Sequence, residues 1–138
     1  MSKTQELDIV LVTAAILSRD SQVFIAKRKP DDRLPNKWEF PGGKVEGNES
    51  PEECLKREMK EEFGIDVSIG EHLGESVYDY GHASIKLLVY RTFWIGGDIY
   101  PKDHDDFRWV LPDKLNEYDF APADLPFVDK LRRGEIEL

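Results

Sequence analysis

The sequence predicts an α/β fold, a mixed β-sheet covered by helices on two faces. Three observations lead there. Residues 9–17 form an unbroken aliphatic and β-branched run that reads as a buried strand, and strand-like segments dominate the middle of the chain. One well-capped helix lies between strands, and a second helical pattern closes the chain.

Taken in order, the first run ends in the polar turn Ser18-Arg19-Asp20-Ser21, and Val23-Phe24-Ile25-Ala26 reads as its hairpin partner. Residues 29–37, with two Pro, two Asp and an Asn, form a loop. It leads into Trp38-Glu39-Phe40 and the Pro41-Gly42-Gly43 break. The clearest helix follows. Ser50 is its N-cap, Pro51 occupies N1, Glu53 at N3 completes a capping box, and Gly64 supplies the stop. Leu55, Met59 and Phe63 fall on one apolar stripe. Residues 67–73 read as a strand, 76–80 and 85–94 as a hairpin around Gly81-His82, and 107–110 as a late strand. Residues 122–133 read as a C-terminal helix with Phe127, Val128 and Leu131 inward and Gly134 after it.

With 138 residues, 40% hydrophobic and 11% aromatic, the chain is expected to form one domain over 1–138 with a packed core. Its 19 basic and 28 acidic residues give a net charge of −9. That field repels a phosphate backbone and argues against a nucleic-acid polymer as partner. A small polyphosphate remains acceptable if it arrives with a divalent cation. The apolar run at residues 9–17, preceded by Glu6 and Asp8, is too short for a bilayer and carries no leader-like features. Cys54 is alone, so no internal disulfide forms, and a reducing cytoplasm is the expected compartment.

On a helix advancing 100° per residue, Glu58, Glu61 and Glu62 project within about 100° of one another. Like charges at i,i+4 cost roughly 0.2–0.5 kcal/mol per pair, so a cluster of them asks for a reason. Oxygen-rich groups of this kind suit Mg²⁺ or Mn²⁺, which bridge carboxylates to substrate phosphates. Alone, the triplet also fits a solvated acidic face. The Pro41-Gly42-Gly43 turn favours the metal, because backbone groups there approach a ligand with no Cβ in the way. Lys44 follows and can meet phosphate oxygens. Arg57, four residues from both Glu53 and Glu61, is placed to orient carboxylates rather than touch substrate.

The pattern Gly43-x5-Glu49-x7-Arg57-Glu58-Met59-x-Glu61-Glu62-x-Gly64-Ile65 resembles the Nudix box at every defined position, over residues 43–65. The likeness extends outward. Trp38-Glu39-Phe40-Pro41-Gly42-Gly43-Lys44-Val45-Glu46, Phe107-Arg108-Trp109-Val110 and Ala121-Pro122-Ala123-Asp124-Leu125-Pro126 all resemble the MutT-like and CTP pyrophosphohydrolase branches of that family.

The resemblance implies an α/β/α sandwich and a nucleotide hydrolase. It implies metal binding by Glu58, Glu61 and Glu62 and by the Gly42 carbonyl. A further acidic ligand is implied at Asp103, with Asp105 and Asp106 as neighbouring alternatives and an exposed polar turn as the plain reading. Arg28 matches a phosphate-contacting position, with a surface charge as its plain alternative. Arg33, Glu39 and Phe40 match the lining of a nucleotide cleft. Trp38 fits either a stacking platform or a core aromatic. Cys54 reads as a packing residue. His72, His82 and His104 read as loop or surface histidines, with only His104 near the site.

The implied reaction splits a nucleoside triphosphate into monophosphate and pyrophosphate, with Glu61 or Asp103 as candidate general base. Asp124 matches the base-recognition position, or else caps the last helix. Its carboxylate can accept from cytosine N4 or from guanine N1–H and N2–H₂. The Pro-Ala-Asp-x-Pro form resembles the cytidine-specific branch, so CTP, dCTP or modified pyrimidine nucleotides are the expected substrates. An 8-oxo-dGTP diphosphatase is the alternative, followed by a non-catalytic nucleotide-binding regulator, which a complete box disfavours. The sequence leaves open whether the protein is a monomer or a homodimer.

Overall fold

The first strand, β1 (Ile9–Arg19), is the element around which the sheet is laid. The computed structural model describes residues 9–138, so Glu6 and Asp8 lie outside the described residues. β1 pairs in parallel with β6 (Ser84–Gly96), while β4 (Gly42–Lys44) lies antiparallel to its Val12, Thr13 and Ala14. The tip of β1 turns through Asp20 and Ser21, with φ of 52° and 66°, into β2 (Gln22–Arg28). Two consecutive positive φ angles are what a type I′ hairpin turn requires. β2 then carries β3 (Trp38–Glu39) and β7 (His104–Val110), both antiparallel, and β5 (Asp66–Asp79) closes the far edge against β6. Parallel and antiparallel pairs make the sheet mixed, as expected.

Both faces of the sheet are buried at residues 13–17 of β1, which accounts for that part of its apolar run, whereas Ile9 and Leu11 at its start are exposed. Ala14, Ile16, Val23, Ile25, Leu87 and Val89 face one core with Phe127, Val128 and Leu131 of the C-terminal helix α2 (Leu125–Arg132). Their alternates Ala15, Leu17, Phe24, Ala26, Leu88 and Tyr90 face the other core with Leu55, Met59 and Phe63 of α1 (Pro51–Phe63). Burying one such large side chain is worth about 1.5–3 kcal/mol, so the helices are held chiefly by these stripes. α1 has the predicted ends. The Ser50 hydroxyl accepts from Glu53 N–H at 3.1 Å, Glu53 accepts from Ser50 N–H at 2.8 Å, and Gly64 is left-handed with φ 74°.

Three boundaries differ from the sequence reading. The segments predicted at 67–73 and 76–80 are one strand, whose register shifts around His72 and Gly74 interrupt the alternation on which the prediction rested. The last helix does not run from 122. A 3-10 turn, Pro122–Asp124, precedes α2, because Pro126 lacks the N–H that an α-helix would donate to the carbonyl of Pro122. β7 begins at His104, three residues before the predicted start at 107.

Candidate functional site

A pocket of about 370 Å³ opens beside β3, β4 and the end of α1. Its lining includes Arg28, Arg33, Glu39, Phe40, Gly42, Lys44, Glu62, Asp103 and Asp124, so most of the sequence-predicted site residues meet in one place. Glu58 lies against Gly43 and Glu61 is paired with Arg57, and neither is among the lining residues.

Gly42 is required by space, because a Cβ there would run into the backbone of Thr13 and Ala14; a Cβ on Gly43 would meet only the Glu58 carboxyl group, which would have to swing away. The turn thus lies directly on the side chain that α1 presents to it. Cys54, fully buried, fills the space behind with its Sγ 3.4 Å from Thr13 Oγ1, a packing role as expected.

Arg57 organises the acidic face. Its guanidinium donates to both oxygens of Glu49 at 2.7 and 3.0 Å, to Glu58 at 2.9 Å, to Glu61 at 3.2 Å and to the Lys44 carbonyl at 3.1 Å. These bonds hold Glu49 down to about 2 and raise Arg57 further above its ordinary value. Burial instead raises Glu58. Glu62 is pushed up to about 9, first by burial and then by the charges of Glu58, Glu39 and Asp103. Its Oε1 is buried with no hydrogen-bond partner. Among the described residues no three acidic, His or Cys groups already stand in a metal-ligating cluster. An unpartnered buried carboxylate oxygen amid three more acidic groups nevertheless fits a divalent cation. Glu62, Glu58, Asp103 and the Gly42 carbonyl are the groups that could hold one.

Arg28 is held on three sides. It donates to Glu39 Oε1 at 2.8 Å and to the Arg33 carbonyl at 2.7 Å, and it pairs with Asp32 at 3.1 Å. Arg33 contributes this backbone oxygen, and its exposed side chain lines the pocket.

Two histidine readings are corrected. His104 is neither a loop nor a surface residue. Only 9% exposed, it stacks on Phe63 at 5.1 Å, and its Nε2 lies 2.7 Å from Glu39 Oε2. His82 also lines the pocket, so His104 is not alone near the site. Trp38 is a core residue, buried and edge-on to Tyr118 at 5.0 Å, not a stacking platform.

Asp124 is 6% exposed and makes no side-chain cap for α2. Its Oδ2 accepts the Phe40 N–H at 2.8 Å instead. Burial, followed by the Glu39 charge, pushes its carboxyl well above the usual range. Sequence reasoning missed Tyr80, which lines the pocket beside Ala123 and Asp124 and read only as a strand end. The one signal available was its position at the mouth of the predicted hairpin.

A family model of the NUDIX domain matches residues 9–131. The chain belongs to the Nudix family. This Nudix hydrolase is 32% identical over 123 residues to the CTP pyrophosphohydrolase of Escherichia coli (strain K12), covering 89% of this chain and 91% of that relative. It is also 32% identical over 123 residues to the 8-oxo-dGTP diphosphatase of the same strain, covering 89% and 95%. Among solved structures, the solution structure of the E. coli ORF135 protein superposes with a TM-score of 0.79 at 30% identity, covering 93% of this chain and 91% of that one. The crystal structure of the MutT protein from Methanosarcina mazei Go1 gives 0.83 at 22% identity over 94% and 96%, a likeness of fold. Nudix hydrolases generally depend on a divalent metal and act on small nucleotides. No helix among the described residues is long and apolar enough to cross a membrane.

Proposed function

We propose that this Nudix hydrolase splits a nucleoside triphosphate into the monophosphate and pyrophosphate with Mg²⁺ or Mn²⁺, preferring cytidine nucleotides, in the cytoplasm. The observation that carries this reading is the placement of Glu62. Glu62, with its buried, unpartnered oxygen, lines the same pocket as the basic residues Arg28, Arg33 and Lys44, and as Asp124. Acidic groups for a cation and basic groups for phosphates, with one buried polar group beside apolar walls, are what a nucleotide polyphosphate needs.

A divalent cation bound at Glu58, Glu62, Asp103 and the Gly42 carbonyl would supply charge screening of the phosphates and a more acidic water. The chain does the rest. Arg28, fixed by Glu39 and Asp32, and Lys44 draw in and orient the phosphate oxygens. Arg57 holds Glu58 and Glu61 in place from behind. Of the two candidate bases, Asp103 lines the pocket and Glu61 does not, which favours the Asp103 carboxylate as acceptor of the attacking water's proton. Asp124 meets the base, with Phe40 and Ala123 beside it.

A relative of equal identity acts on 8-oxo-dGTP by its name, and Asp124 can pair with a guanine edge as well as a cytosine edge. That is the second reading. The experiment that separates them is pyrophosphate release across CTP, dCTP, 5-substituted cytidine triphosphates, 8-oxo-dGTP and the common nucleotides, with Mg²⁺ and with Mn²⁺. Cytidine compounds should lead by kcat/KM. No hydrolysis of any triphosphate with either metal sinks the proposal, and a lead for 8-oxo-dGTP replaces its cytidine part.

A further inference from the structure

We infer that Tyr80 and Ser76 are positioning residues for base selection, clamping the backbone of Ala123 from β5 and the turn after it and thereby fixing where the Asp124 carboxyl stands. The inference rests on the proposed role of Asp124. The Ala123 N–H donates to the Tyr80 hydroxyl oxygen at 2.9 Å, and the Ser76 hydroxyl donates to the Ala123 carbonyl at 2.7 Å. Both backbone polar groups of a single residue are therefore held by side chains from one strand and the turn that follows it. Ala123 is only 4% exposed, so water has little access to replace either partner.

The neighbouring residues show why such a clamp has a purpose. Ala121 N–H donates to the Trp38 carbonyl at 2.9 Å, and Asp124 Oδ2 accepts from Phe40 N–H at 2.8 Å. The short turn is thus tied to β3 through Ala121 and to β5 and its following turn through Ala123, and Asp124 directly follows the second tie. Without the β5 tie, the carboxyl keeps its bond to Phe40 but loses the constraint that sets its angle into the pocket. The clamp is itself braced by hydrogen bonds. Beyond Tyr80 the hairpin turn is closed by Tyr80 N–H to Ala83 O at 2.9 Å and Gly81 N–H to Asp79 Oδ1 at 2.8 Å. Register shifts around His72 and Gly74 lie just before the segment bearing Ser76. Gly74, at φ 147°, lies under α2, where an added Cβ would come within 3.3 Å of Phe127.

The test measures discrimination. Tyr80→Phe keeps the ring and removes the hydroxyl; Ser76→Ala removes the other bond; Ser76→Thr restores a hydroxyl. Purified full-length protein is assayed for pyrophosphate release from CTP, UTP, ATP and GTP, and the ratio of the best kcat/KM to the next is compared, with thermal midpoints recorded. Tyr80→Phe and Ser76→Ala should each lower that ratio about threefold to tenfold, with KM for the preferred nucleotide changing more than kcat. Their double variant should fall short of the product, because both bonds hold the backbone of the same residue. Ser76→Thr should recover most of the ratio. If the double variant keeps the ratio while Asp124→Ala collapses it, the clamp is wrong and the Asp124 reading stands. An equal loss on all four nucleotides with the ratio intact also overturns the clamp, as a purely structural role. If Asp124→Ala itself leaves the ratio unchanged, the reading of Asp124 fails and the clamp fails with it.

Discussion

Glu39 is tethered at both carboxylate oxygens, Oε2 lying 2.7 Å from His104 Nε2 and Oε1 2.8 Å from Arg28 Nη1. Because His104 in turn lies flat on Phe63, next to Glu62 in sequence, one chain of contacts joins the end of α1 to the cation proposed to bind phosphate. His104→Ala leaves a half-buried carboxylate oxygen without its partner. It should cost about 1–3 kcal/mol of stability and raise KM, as Arg28 loses a fixed counter-charge. His104→Gln, which can still donate, should recover part of both. Urea unfolding with steady-state kinetics checks this; an Ala variant equal to the parent in both would show the contact to be incidental.

Replacing Glu62 by Gln removes the charge and keeps the shape. Turnover should fall about 10²–10³-fold, while the metal-free protein melts no lower, since a neutral amide is easier to bury beside Glu58, Glu39 and Asp103. Glu61→Gln should do less, because Glu61 is outside the pocket. Near-normal activity in Glu58→Gln, Glu61→Gln and Glu62→Gln alike would falsify the metal reading.

Metal removal should reveal Glu62 through pH. Its carboxyl rises from 4.5 to about 9 on folding, so between those values the folded chain holds a proton that the unfolded chain releases. Stability of the metal-free protein then declines as pH climbs through that window. Melting in EDTA from about pH 5 to about pH 8 should show this decline, and Glu62→Gln should flatten it. Added Mg²⁺ or Mn²⁺ should raise the midpoint most at the alkaline end and displace about one proton at neutral pH, readable as buffer-dependent heat in calorimetry. A midpoint in EDTA that ignores pH in parent and variant alike contradicts the assignment.

Arg57→Lys keeps a positive charge and loses the fork. Four groups now share one guanidinium, the side chains of Glu49, Glu58 and Glu61 and the Lys44 carbonyl, and a point charge cannot meet them all. Metal affinity should weaken about 10–100-fold, measured by titrating activity with Mg²⁺, with little change in the preferred nucleotide. Unaltered metal dependence would leave Arg57 with a role in folding only.

Asp124→Ala should cut preference for the best nucleotide about tenfold or more, since a lost buried hydrogen bond costs about 1–3 kcal/mol. Asp124→Asn retains an oxygen for the Phe40 N–H and turns an amide donor towards the base. It should stay folded and shift preference towards purines offering an acceptor. A lowered melting point with the nucleotide ranking intact would reduce Asp124 to a structural tie.

Local signals were legible in the chain. The Ser50–Glu53 capping box, the Gly64 stop and the Leu55, Met59, Phe63 stripe are determined within a few residues of one another, and the structure has each of them. The Gly42-Gly43 pair was readable as a close approach, though not that Thr13 and Glu58 are what approaches. What escaped depends on distant partners. His104 is buried by Glu39, 65 residues away, so no periodicity around it reports the fact. The Ala123 N–H meets Tyr80 across 43 residues, and Asp124 meets Phe40 across 84. β5 was split in two because bulged strands break the alternation by which strands are read.

The sheet with two buried faces also has an evolutionary meaning. The groups proposed for chemistry lie in the layer of α1, with Glu58, Glu62 and Phe63, and those proposed for recognition in the layer of α2, with Phe40, Ala123 and Asp124. Glu39 and Phe40, adjacent in sequence, serve opposite layers, with Glu39 bonded to His104 and Phe40 packed beside Phe120. A lineage can therefore accumulate changes in the α2 layer, drifting from one nucleobase to another, without disturbing the carboxylates proposed to hold the metal. Innovation in substrate is cheap in such a scaffold, and innovation in reaction is not.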